Sequence, residues 1–146
     1  MNIEIKNYTL QEIELLIIRF EKQEFSKVEW THEAHLVVAV WYSKKYNEEA
    51  ALNLVRDFIT RHNESVGTPN TDVEGYHETI TRLWLMIVQR FLNQHSSLSV
   101  ADACNKFINS ATGKSNYPLT YYSEEVLFSV KARHQWVAPD KKAWEG

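Results

Sequence analysis

The chain has 146 residues, 44% of them apolar, and a formal net charge of −3 from 16 Lys and Arg against 19 Asp and Glu. That length suits one domain whose core needs no disulfide or metal, and the mild negative balance with scattered cations predicts no binding to nucleic acid or to a membrane surface. Cys104 is the only cysteine, which excludes an intramolecular disulfide and a cysteine-based metal knuckle.

Only four Gly and three Pro interrupt the sequence, which favours long helices. No apolar run approaches the roughly 20 residues of a membrane-spanning helix, and the opening MNIEIKNYTL lacks the apolar stretch of a secretory signal. These features predict a cytoplasmic, all-α protein. The expected architecture is a single-domain antiparallel bundle of five to six helices over residues 1–137, followed by a tail over 138–146.

Thr9-x-x-Glu12 reads as a capping box opening a first helix, in which Leu10, Ile13, Leu16 or Ile17, and Phe20 recur at helical spacing. After a short link, Thr31 is the predicted N-cap of a second helix reaching about Tyr46. Its His32, His35, Leu36, Ala39, Tyr42 and Tyr46 share one face. Residues 36–41 are apolar all round, the pattern of a central helix. Asn47 caps a third helix, with Glu48 and Glu49 in the first turn where the macrodipole favours acids. Ala51, Leu54, Val55, Phe58 and His62 form its stripe.

Gly67-Thr68-Pro69-Asn70 is the clearest break in the chain. Thr71-x-x-Glu74 offers another capping box, so a fourth helix is predicted from Thr71 or, past Gly75, from Tyr76. Its stripe is His77, Ile80, Thr81, Trp84, Val88 and Phe91, and the apolar run 83–88 makes the segment 76–95 the second central helix. Ser97 or Ser99 opens a shorter helix through Cys104 and Phe107, closed at Gly113. Pro118 holds a loop, a last helical piece covers about 123–136 with a split at Ser129, and Pro139 ends it. Asp140, Lys141 and Lys142 read as solvated tail.

Short links make neighbouring helices antiparallel. The second and fourth helices then run the same way, and the third brings its last turn, with His62, to their starting end. Four of the six histidines, His32, His35, His62 and His77, are therefore predicted at one end of the bundle.

Three chemistries fit that placement. In the leading one, a small polar or anionic ligand binds where two helix N-termini direct free N–H groups to one place, a field that keeps imidazoles neutral. His32, His35 and His77 would be primary contacts and Glu78, Tyr76 and His62 secondary. Thr79 and Thr81 would add polar groups, and Trp30, Trp41 and Trp84 apolar walls. In the second, His32, His35 and His77 hold a divalent transition metal as cofactor, with Glu78, Glu74 or Glu33 as the carboxylate. Glu29-x-x-His32 and Glu74-x-x-His77 have the spacing of di-iron bundles, although both straddle predicted helix starts.

The third chemistry is an enzyme acting on a small molecule. Against it, His77 and Glu78 are adjacent on a helix and point about 100° apart, so they do not pair, and Glu78 is better placed for Arg82. Cys104 has the apolar phase of a core residue. The plainer alternative is a structural or interaction protein with no ligand, a homodimer through the first helix or the C-terminal segment. Its histidines would only hydrogen-bond neighbouring loops, and its five Trp would mark an association surface.

The blocks Trp30-Thr-His-x-x-His-Leu36, Tyr76-His-Glu-Thr-Ile-Thr81, Tyr122-Ser-x-Glu-x-Leu127 and Ser129-x-x-Ala-Arg-x-x-Trp-Val-x-Pro-Asp140 resemble those of a group of uncharacterised bacterial all-helical proteins. The resemblance spans most of the chain from Trp30 onward. It implies the all-helical fold and makes the two histidine blocks parts of one recurring design, and it carries no activity, substrate or cofactor. Lys141 stands where that pattern has an apolar residue.

Overall fold

Side-chain caps set where the helices of this chain begin. In the computed structural model, which describes residues 7–146, Thr9 and Glu12 form the reciprocal box that opens α1 (Leu10–Glu21). Thr31 caps α2 (His32–Lys45) and Asn47 caps α3 (Glu48–Ser65), each side chain accepting an N–H three residues on. His77 caps α4 (Glu78–Gln94), and Ser99 caps α5 (Val100–Ile108). Two 3-10 turns follow at 111–113 and 117–120. The C-terminal piece is split as predicted, because Ser129 starts a new helix with its own cap. Ser123 opens α6 (Glu124–Leu127) and Ser129 opens α7 (Val130–His134). The described residues thus form an all-α bundle with seven helices. The reading of residues 1–6 as free of a secretory signal lies outside the described residues.

The two helices predicted to be central are central. Leu36, Val37, Val38, Ala39 and Val40 are all buried, because α2 packs against α1, α3, α4 and α5 at once. Each of the Leu and Val side chains contributes about 1.5–3 kcal/mol by leaving water. Helix α4 packs against α2, α3, α5 and α7 and buries Leu83, Ile87, Val88 and Phe91. Trp84, Leu85 and Met86 are only half-buried, so the run 83–88 is less enclosed than its composition implies. No helix among the described residues is long and apolar enough to cross a membrane.

Two expectations fail locally. Thr71 opens no helix: its N–H donates to the Glu74 carbonyl at 2.9 Å and its hydroxyl accepts from Val73, closing a turn. The five tryptophans are all half-buried. The predicted tail folds back onto the bundle. Asp140 accepts the Ser123 N–H at 2.8 Å, and Trp144 packs on Tyr121 with the Arg90 guanidinium 4.5 Å from its ring. Glu145 accepts the Tyr121 hydroxyl at 2.7 Å. Helical periodicity carries no signal for a segment held by such single anchors.

Candidate functional site

The loop between α3 and α4 is held by Asn70, whose side chain accepts the Tyr76 N–H at 2.9 Å and an Asn63 amide proton at 3.1 Å. Its own amide donates to the Thr60 carbonyl of α3. Gly75 sits at φ 86°, and a β-carbon there would collide with the Pro69 carbonyl and Asn70. This glycine is what lets the chain turn into Tyr76 and His77.

His77 is buried and acts as the cap of α4. Its Nδ1 accepts the Ile80 N–H at 3.1 Å, so its proton lies on Nε2, which donates to the Leu127 carbonyl at 2.7 Å. Both nitrogens are committed. Burial, and after it the Arg133 charge, lowers the pKa below the ordinary histidine value.

His35, one turn into α2, donates Nδ1–H to the Thr31 carbonyl at 2.7 Å, which leaves Nε2 as an acceptor. Its ring centroid lies 3.8 Å from that of Trp30. Desolvation pushes its pKa down to about 4, helped by the neighbouring imidazoles of His32 and His62, although part of the residue's surface stays open. His62, in the last turn of α3, is 0% exposed, with the Trp30 and Phe25 rings against it. Neither of its ring nitrogens has a hydrogen-bond partner, and burial lowers its pKa.

These three histidines line one cavity of about 430 Å³, together with Trp30, Tyr76 and Thr81, with Lys27 and Asn63 adding polar groups. Four of the six residues predicted to bind a ligand are therefore gathered: His35, His62, His77 and Tyr76.

His32 and Glu78 line other surfaces. His32 bonds through Nε2 to the Gly113 carbonyl at 2.8 Å and packs on Trp84, fastening α2 to the first 3-10 turn. Three residues apart on a helix, His32 and His35 differ in direction by about 60°, enough to serve different neighbours. Glu78 is gripped by Arg56 through Nε (2.9 Å) and Nη2 (2.7 Å) and accepts the Tyr76 hydroxyl at 2.8 Å. Burial raises its pKa, but the bonds from Arg56 and Tyr76 outweigh that and hold it below the usual value. Arg82, the partner expected from the sequence, lies over Trp136 instead. Trp41 sits under Lys45, Trp84 packs on Phe107, and the Thr79 hydroxyl donates to the Gln135 carbonyl, so none of these walls the cavity.

The predicted metal set His32, His35 and His77 does not form. His77 has no nitrogen left, and the His32 ring is turned to Gly113. Among the described residues no three His, Cys, Asp or Glu side chains converge to hold an ion. Glu29 serves Arg19 and Ser26, Glu33 accepts the Tyr8 hydroxyl, and both nitrogens of His77 are bonded to backbone, so neither Glu-x-x-His pair nor a Glu33 ligand is realised. Cys104 is fully buried, and burial pushes its thiol up to about 12, which removes it as a nucleophile.

Asn70, Arg56 and Arg133 are the organising residues that spacing did not reveal. Each acts across elements rather than along one. Comparison with known proteins finds no matching family model, no similar curated protein and no similar solved structure.

Proposed function

We propose that the protein binds a small polar molecule in the cavity lined by His35, His62 and Trp30. The observation that carries this reading is the His62 ring, fully buried with both nitrogens unpartnered. Leaving buried polar groups unsatisfied costs about 1–3 kcal/mol each, a cost that a ligand removes by supplying the missing partners once the side chains covering the ring move aside, since both nitrogens are closed to solvent. A neutral imidazole offers one donor and one acceptor, so the ligand carries both. His35 Nε2 provides a second acceptor for a ligand N–H or O–H, and the lowered pKa of both rings keeps them neutral near pH 7. Trp30, Ile59 and Ile80 supply the apolar wall against which a flat ring packs. His77 shapes the cavity but spends its nitrogens on the backbone.

The test is a thermal-shift screen of neutral heterocycles and amides, such as nicotinamide, cytosine and imidazole, repeated on variants. A ligand present at 100 times its Kd stabilises by about 2.7 kcal/mol. Its effect should vanish in His62→Leu and weaken in His35→Gln, while His32→Gln, outside the cavity, binds as the parent does. Binding that survives His62→Leu would contradict the reading.

A second reading, self-association through α1, is favoured by Leu15 (59% exposed) and Ile18 (47%), which lie one turn apart on its outer side. Sedimentation of the parent and of Leu15→Glu tests it. A dimer that Leu15→Glu dissociates supports it, and a monomer at all concentrations removes it.

A further inference from the structure

Tyr76 also lines a second, open cavity of about 460 Å³, bordered by the outer side of α3, the loop before α4 and the end of α7. We propose that this cavity binds a small oxyanion, a phosphate or carboxylate group, through Arg133. The inference stands independently of the ligand read into the histidine cavity.

Arg133 is held rather than neutralised. Its Nη1 donates to the carbonyls of Gly75 (2.9 Å) and Tyr76 (3.4 Å), and it meets no carboxylate among the described residues. The guanidinium is thereby fixed in orientation, while Nε and Nη2 keep their protons for another acceptor. A fixed guanidinium matches the two oxygens of a carboxylate or phosphate with little further ordering. The one carboxylate lining the cavity, Glu78, is already matched by two bonds from Arg56 and one from Tyr76. It therefore offers little repulsion, and the lining carries an excess positive charge.

Two further groups fit an anion. The Thr71 hydroxyl oxygen accepts from Val73, which leaves its proton to donate. Trp136 forms a flat wall, with the Arg82 guanidinium 5.2 Å from its ring centroid, so a second cation adds to the local field and the indole face suits the organic part of a ligand. Opposing this, Asp72 lies beyond the rim, 72% exposed, with its carboxylate 2.6 Å from His134 Nε2.

The experiment is a titration of the isotopically labelled protein with sodium phosphate and, in a separate arm, sodium acetate, at ionic strength held constant with chloride. The Trp136 indole and Arg133 Nε–H resonances are followed. Saturable shifts with either anion are expected, and the two arms distinguish a phosphate from a carboxylate site. Arg133→Gln should weaken binding about tenfold or more. Because that change also frees the Gly75 and Tyr76 carbonyls, Asp72→Asn provides a second variant on an exposed residue, and it should tighten binding several-fold. His62→Leu should leave the titration unaltered. No saturable shift from either anion in the parent and Asp72→Asn proteins, or binding indifferent to Arg133→Gln, would overturn the assignment.

Discussion

His77 Nδ1 accepts the Ile80 N–H at 3.1 Å while the opposite edge of the same ring reaches the Leu127 carbonyl at 2.7 Å. One imidazole thus starts α4 and ties it to α6. Removing it in His77→Ala deletes a cap and orphans a buried carbonyl, for an expected loss of about 2–3 kcal/mol. His77→Asn should regain about 1 kcal/mol of that, because asparagine caps well but does not span to Leu127. Urea unfolding of the three proteins checks the order; equal stability of the parent and His77→Ala would show that neither bond matters.

Acid should unfold the protein through its histidines before its carboxylates respond. His35, His62 and His77 are all harder to protonate in the folded chain than in the unfolded one. Their contribution to stability is complete above the unfolded value of about 6.5 and declines as pH falls below it, because the unfolded chain takes up the protons first. For His35 the decline continues to about 4. Glu78, whose pKa is lowered, adds a loss only as pH approaches and falls below about 4.3, where the unfolded carboxyl is half-protonated. Unfolding free energy measured from pH 7.5 to 5 should fall, and His62→Leu should flatten the decline. A level profile would contradict the buried neutral state of these rings.

The Arg56–Glu78 pair clamps α3 to α4 outside the histidine cavity and meets its lining only through the Tyr76 hydroxyl. Arg56 is 40% exposed at its side chain and Glu78 12%, so solvent screens part of the attraction. A double-mutant cycle of Arg56→Gln and Glu78→Gln should give a coupling of about 1–2 kcal/mol. Ligand binding in the histidine cavity should be unchanged in Glu78→Gln; its loss would return Glu78 to the site.

Zinc offers a direct check on the corrected metal set. With His77 capped and His32 turned to Gly113, titration with Zn²⁺ should raise the melting temperature no more in the parent than in His32→Gln/His77→Asn, each compared with its own metal-free form. A stoichiometric, chelator-reversible stabilisation confined to the parent would restore a metal reading.

Much of the fold was legible because its signals are local. Thr9, Thr31, Asn47 and Ser99 each sit directly before a helix they cap, and the unbroken apolar run of α2 announces burial from all sides. Short links gave the antiparallel order, and that order brought His35, His62, His77 and Tyr76 to one cavity. Rotation about the helix axis was not legible. Spacing puts His32 and His35 on one face, yet the turn at 111–113 takes one ring and the cavity the other. Nor could the sequence show that Glu78 would meet Arg56 on α3, one helix away, rather than Arg82 on its own helix, or that Trp144 and Glu145 would find Arg90.

Replacing the orphaned ring tests the central claim most directly. Leucine is close to histidine in volume and needs no hydrogen bonds, so His62→Leu removes the unsatisfied nitrogens while keeping apolar contact with Trp30 and Phe25. If His62 is kept for a ligand, unfolding at pH 7.5 should show the ligand-free variant as stable as the parent or more stable by about 1 kcal/mol. A loss of more than about 2 kcal/mol would mean that the protein itself satisfies His62 and holds it as part of its core.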